Sequence, residues 1–407
     1  MDMSLVSPAS PGMPAPVWFV QFFKILGFAL HSVPMNLWYA GLLIALVVHL
    51  RGGEHGRRFG ARLLKQMPII IALGINLGIV PLLFVQLAYY KFFYPATILM
   101  AWHWLGIIAL LIPAYYGVYV YALALREEED NARRAASRTP GNKTSARPVG
   151  EGQGARASGM ATIFRCLAAW KQPIGWLAAL LFVTIGFLFV NGMSLLDHVE
   201  RWPELWRQHQ IAGAATGTAL NVGDATLWPR LLLMFGLAIC TTAAWCLIDS
   251  EWFAAGESDA YRAWTWQFAM KLYTVGMIWT ATAGTWYVFG SWSPDLRATM
   301  FRFPFLMLTA LTAVAAGLPW LLIMKAPRNK VIAGAVGAAQ FGVLGINAIS
   351  RQVVQNVNLK PYLDVMAQPT DVQWGPLVMF LVVFVVGLGV IAWMLVQAIA
   401  AVRWPNP

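Results

Sequence analysis

Six histidines occur in the chain, and two of them stand inside apolar runs: His31 in FALHSVPMNLWYAG and His103 in MAWHWLG. An ionisable group among such neighbours is costly at membrane depth unless it faces a cavity or a polar partner. Two neutral imidazoles from two helices are also what a low-spin haem iron takes as axial ligands. The plainer alternative for each is a hydrogen bond to a backbone carbonyl or a neighbouring side chain. Other polar residues interrupt apolar stretches: Gln86 in PLLFVQLAYY, Asn191 and Asp197 near the end of a long run, and Asn347, Arg351 and Gln352 in GINAISRQVVQN. A guanidinium so placed either meets haem propionates through charge-assisted bonds or snorkels to the interface. Lys271 in WQFAMKLYT has the stem length to snorkel. His49, His55, His198 and His209 read as interface or loop residues.

The elements that must position these groups are membrane helices. Of 407 residues, 59% are hydrophobic and only 12% charged, where a soluble domain has about 25% charged. Mean hydropathy is +0.60. A net charge of +11 would suggest nucleic acid in a soluble chain. Here it follows from basic loops on one side of a membrane, and no nucleic-acid partner is expected. Cys166, Cys240 and Cys246 form no CxxCH, which excludes covalent c-type haem attachment. There is no P-loop, no strand-borne GxGxxG, no HExxH and no metal-spaced Cys/His cluster. Residues 1–16 lack the basic start of a cleavable signal.

A span needs about 20 apolar residues. Nine stretches qualify, near 22–50, 68–93, 97–124, 173–197, 228–249, 263–290, 300–324, 330–352 and 374–402. The expected division is an outer N-terminal segment (1–16), a three-helix unit (17–125), a basic flexible loop (126–171) and a six-helix unit (172–407). The basic segments RGGEHGRRFGARLLK, 126–171 and KAPRNK fall on one face if the N-terminus is periplasmic and the C-terminus cytoplasmic. The expected location is a bacterial inner membrane. On that orientation His31 lies roughly 27 Å from the inner end of the first span, and His103 roughly 9 Å below the outer boundary. The two imidazoles are therefore expected at comparable outer depth. Pro81 and Pro113 fall inside spans, where a freed carbonyl and a kink can shape a cavity.

The order of these features resembles subunit I of the cytochrome bd quinol oxidases. LHSVPMNLWYAGL is similar to that family's first-span histidine phrase, with His31 at the haem-ligand position. LGIVPLLFVQLAYYKFFYPATILMAWHWL is similar to its second and third spans, with His103 where the family has a haem-site glutamate. Ser350 to Val354, SRQVV, stand where the family has GRQPW. The departures are equally specific. WPRLLLMF has no histidine where the family's low-spin haem ligand would fall, INAIS lacks its glutamate, and GSWSPDLR replaces its long quinol loop.

The resemblance implies an all-α, nine-span haem protein passing electrons between the quinone pool and a periplasmic c-type cytochrome or terminal acceptor. The implied cofactor is haem b on His31 and His103, with Arg351 at its propionates and Gln86 or Asn347 beside it. Quinone is a further candidate ligand. Two rivals stand beside this reading: a divergent terminal oxidase that reduces oxygen at a high-spin haem, and a haem-free anchor, scaffold or transporter subunit.

Overall fold

The computed structural model describes residues 12–137, 168–254 and 256–403. Helix formation starts where the proline-rich entry ends. Pro16 is extended (φ −52°, ψ 135°), and α1 (Val17–Asn36) begins at the next residue. Pro34 inside α1 has no N–H to donate. The following turns widen into a π segment, Leu37–Gly41, closed by the Leu42 N–H on the Leu37 carbonyl, before α2 (Leu42–Arg51) completes one 35-residue rod. Then come α3 (Glu54–Ala88), α4 (Tyr90–Leu99) and α5 (Ala101–Ser137), the last two separated by a break at Met100.

After them follow α6 (Lys171–Asp197), α7 (Trp202–Gln208), a two-residue hairpin (β1 Gln210–Ile211, β2 Ala214–Ala215) and α8 (Leu227–Ile248), extended by a π segment at Asp249–Phe253. The chain ends with α9 (Asp259–Thr285, with a π segment at Trp286–Ser291), α10 (Pro294–Met300), α11 (Phe305–Val314), α12 (Gly317–Lys325), α13 (Lys330–Leu359) and α14 (Trp374–Arg403).

Among the described residues, eight helices are long and apolar enough to cross a membrane; α11 and α12 count together as one. The 27-residue α9 carries Asp259, Arg262, Gln267 and Lys271 and is not among the eight. It nevertheless runs antiparallel along α8. A Cβ at Gly236 would come 2.8 Å from the Thr280 nitrogen, and one at Gly276 would come 2.9 Å from the Cys240 nitrogen, so only glycine permits the approach. The same logic locks the first rod to α3: Trp38 of the π segment fills the space left by Gly74, and His31 of α1 that left by Gly78.

The expected flexible loop from residue 126 is partly corrected. The α5 helix continues through Arg126 to Ser137, while residues 138–167, with Cys166, lie outside the described residues. Outward-facing residues are apolar: Trp18, Ile69, Leu105, Ile108 and Val382 are all more than half exposed. Such a surface is satisfied by lipid, and the backbone polar groups are satisfied within the helices. The two largest of four apolar clusters among the described residues fill most of the interior. One centres on Leu37–Leu46, α3, α6 and α8. The other is an aromatic cluster of Phe19, Phe23, Phe84 and Phe92 at the end where α1 starts. That N-terminal end also receives the start of α14, through the Met13 N–H on the Pro369 carbonyl at 2.7 Å.

Candidate functional site

His31 sits midway along the α1–α2 rod, against α3. Its Nδ1 lies 2.8 Å from the Gly74 carbonyl oxygen. A carbonyl can only accept, so Nδ1 carries the proton and Nε2 keeps its lone pair. Among the described residues Nε2 makes no hydrogen bond. The ring fits because position 78 has no side chain: a Cβ there would be 2.7 Å from Cε1 and 2.9 Å from Nδ1. Trp38 meets the imidazole edge-on at 5.8 Å between ring centroids.

Arg351, on α13, lays its guanidinium over the Phe28 ring at 4.4 Å, one turn along α1 from His31. Its charge reaches His31, and among the described residues it has no hydrogen bond and no carboxylate partner. A cation–π contact offsets part of the cost of burying a guanidinium but does not neutralise it. Asn347 lies one turn below Arg351 on the same helix, half-buried and without a hydrogen bond among the described residues.

His103 lies elsewhere. It is two residues into α5, about 3 Å from that helix's start, whereas His31 is about 21 Å into α1. Both helices start at the N-terminal end, and the His103 Nε2 is bonded at 3.2 Å to the Thr218 carbonyl of the loop there. Two imidazoles on one iron must each approach within about 2 Å of the metal, as in other histidine–metal bonds. His31 is turned to the Gly74 carbonyl of α3 and His103 to the Thr218 carbonyl, so the two rings have different partners and no bond joins them among the described residues. Gln86 is eight residues beyond Gly78 on α3, about 12 Å further towards the N-terminal end, and also lies away from His31.

Between these positions lies a network that sequence reading largely missed. Asp197, at the end of α6, accepts from Arg230 Nη1 at 3.0 Å and from Gln355 Nε2 at 2.7 Å. Gln355 in turn accepts from Lys24, whose ammonium lies 4.0 Å from the centre of the Tyr89 ring. Gln352 donates to the Tyr89 hydroxyl at 2.5 Å. Arg230 also donates to Thr226 Oγ1 at 3.2 Å, and Thr226 donates to Asp224 at 2.8 Å. Ser194 donates to Asp224 at 2.5 Å, and His198 pairs with it at 3.3 Å.

Arg230 thus pairs with Asp197 and His198 with Asp224, while Lys24, held by Gln355, and Arg351, held by the Phe28 ring, have no carboxylate at ion-pair distance among the described residues. Burial pulls the His198 pKa down, but the Asp224 hydrogen bond and charge outweigh it, and the net shift is upward. For Asp224 burial pushes up, while His198, Ser194 and the Thr226 N–H hold its carboxyl well below the usual carboxylate range. His198 is therefore a paired residue, not a solvated loop histidine. Lys24 in VQFFKILGF and Arg230 in WPRLLLMF were visible as charges inside apolar runs, but nothing in the sequence connects them.

The residues fit a b-type haem in part. One imidazole with a free Nε2 and one guanidinium without a carboxylate partner suit an iron and a carboxylate; the other candidate ligand, His103, has its Nε2 on the Thr218 carbonyl. Among the described residues no group of three or more His, Cys, Asp or Glu is placed to hold a metal ion. A scan against protein-family models finds no match to the chain, and a search of curated protein sequences finds none either.

Proposed function

We propose that the chain is a membrane haem protein of respiratory electron transfer, similar to subunit I of the cytochrome bd oxidases, with a b-type haem held by His31 alone. The supporting observation is the tautomer: the Gly74 carbonyl fixes the proton on Nδ1 and leaves Nε2 as a ligand. Arg351 takes a propionate, which supplies the carboxylate it lacks, and Asn347 lies beside it. When bound, such a haem carries single electrons and leaves one iron position to a small molecule.

Ligation by His31 alone favours the rival in which a diatomic ligand such as oxygen is handled. The same reading makes α9 a ninth span, with the N-terminus periplasmic and the C-terminus cytoplasmic in a bacterial inner membrane. It makes the electron partners the quinone pool and a periplasmic c-type cytochrome.

The test is optical. The purified chain in detergent is expected to give a b-type pyridine haemochrome and a Soret band that shifts when carbon monoxide is added to the reduced protein. His31→Ala is expected to lose the pigment and His103→Ala to keep it. Equal loss in both variants would restore the two-histidine ligation. A chain expressed with ample haem yet colourless would overturn the proposal in favour of a haem-free scaffold or transporter.

A further inference from the structure

At the end opposite the N-terminus, the polar first turns of α3 face the stretch of α5 that runs past Leu125. Between them lies a cleft of about 360 Å³. Its walls carry five cationic side chains, Arg57, Arg58, Arg62, Lys65 and Arg133, and two carboxylates, Glu129 and Glu257.

Three of the cations are already engaged. Arg62 forks onto Asp249 at 2.9 and 3.0 Å, Arg58 pairs with Glu54 at 2.8 Å and Glu257 at 3.4 Å, and Lys65 pairs with Glu129. Arg57 and Arg133 have no carboxylate partner among the described residues. They are fully charged at any physiological pH and present donors in a fixed fork. The cleft therefore offers two free guanidinium groups on a wall already held rigid by the Arg62–Asp249 pair.

Its depth matters as much as its charge. Arg62 and Ile69 lie two turns apart on the same stripe of α3, and Ile69 is 61% exposed among apolar neighbours. A ligand with an anionic head in the cleft and an apolar tail along Ile69 would match both surfaces.

We infer that this cleft binds a phosphate ester, through bidentate contacts from Arg57 and Arg133. That chemistry is shared by an anionic phospholipid headgroup and by a soluble phosphate compound, so the test has two arms. In the first, the full-length chain is placed in nanodiscs of phosphatidylcholine with and without phosphatidylglycerol, and lipid retained after re-extraction is measured by native mass spectrometry. In the second, inorganic pyrophosphate is titrated against the chain in detergent.

The double variant Arg57→Gln/Arg133→Gln alters only exposed side chains and is expected to fold. Binding in the responding arm should weaken about tenfold for each arginine removed. Arg51→Gln, exposed at the same end but outside the cleft, should change nothing. Retention of phosphatidylglycerol alone identifies the lipid as source, and pyrophosphate binding alone identifies a soluble one. Binding in neither arm, binding unchanged in the double variant, or an equal loss in Arg51→Gln would overturn the inference.

Discussion

At the N-terminal end of the bundle Arg230 is 8% exposed and shares Asp197, itself 5% exposed, with Gln355. At the opposite end Arg58 meets Glu54 through side chains that are 48% and 69% exposed. Both are arginine–carboxylate pairs with similar N···O distances, 3.0 and 2.8 Å. Water screens the second pair, so its formation changes little. The first has no water to fall back on, so removing either partner strands a charge. The contrast shows why distance alone says nothing about what a pair contributes, and why charge at one end builds structure while charge at the other remains free to meet a ligand.

Asp197→Ala tests the contrast most severely. It leaves Arg230 buried without its carboxylate and is expected to cost about 3–5 kcal/mol, read as a fall in the unfolding midpoint in detergent. Arg230 unaffected by that loss would mean the pair is solvated after all.

Next in size is Gly78→Ala. The new methyl must push the His31 ring off the Gly74 carbonyl, at a cost of about 1–3 kcal/mol. Haem content should fall by more than stability does, whereas Gly106→Ala, with nothing within 4 Å of its Cβ, should alter neither.

The His198–Asp224 pair gives a smaller, pH-dependent effect. The folded pKa of Asp224 is depressed, so its contribution is present above the ordinary carboxylate range and is lost as pH falls through the folded value. The folded pKa of His198 is raised, so its contribution is full below about 6.5, the ordinary imidazole value, and is lost as pH rises through the folded one. Stability should therefore decline by about 1 kcal/mol on the alkaline side, and His198→Gln should flatten that limb and also weaken the acid limb, because His198 is the main group holding the Asp224 carboxyl down. The smallest change is expected from Arg58→Ala, at most about 0.5 kcal/mol and weaker still in salt.

The helical membrane architecture was legible because hydropathy and length are local properties of a run. Even the short hairpin and α4 alter only the margins of that reading. Depth was less legible. The Phe-rich VWFVQFF begins α1 ahead of the most apolar stretch, and YKFFYPATIL forms a separate helix although its composition matches a span. Both features shift the helix starts from which depth is counted in a sequence. The polar network was illegible for a different reason. Lys24, Asp197, Arg230 and Gln355 come from four helices, and each alone reads as an interfacial residue near a span end. Only their meeting makes them a unit, and no periodicity in one segment encodes a contact with another.

The π segment at Leu37–Gly41 sets the aim of His31 from a distance. It holds one residue more than an α-helical stretch of the same rise, so it absorbs that residue between two halves of one rod without turning one against the other. On its far side α2 is keyed to α3 through the contact of Gly60 with His49. On its near side Lys24, Phe28 and His31 keep their aim because the extra residue is taken up there. Deleting a single residue within 37–41 would let the helix close up as ordinary α with the near half facing almost as before, whereas deleting one from the regular turns of α2 would swing that half about 100° around its axis. In the second case the imidazole would leave the glycine seam without any residue that touches it having been changed.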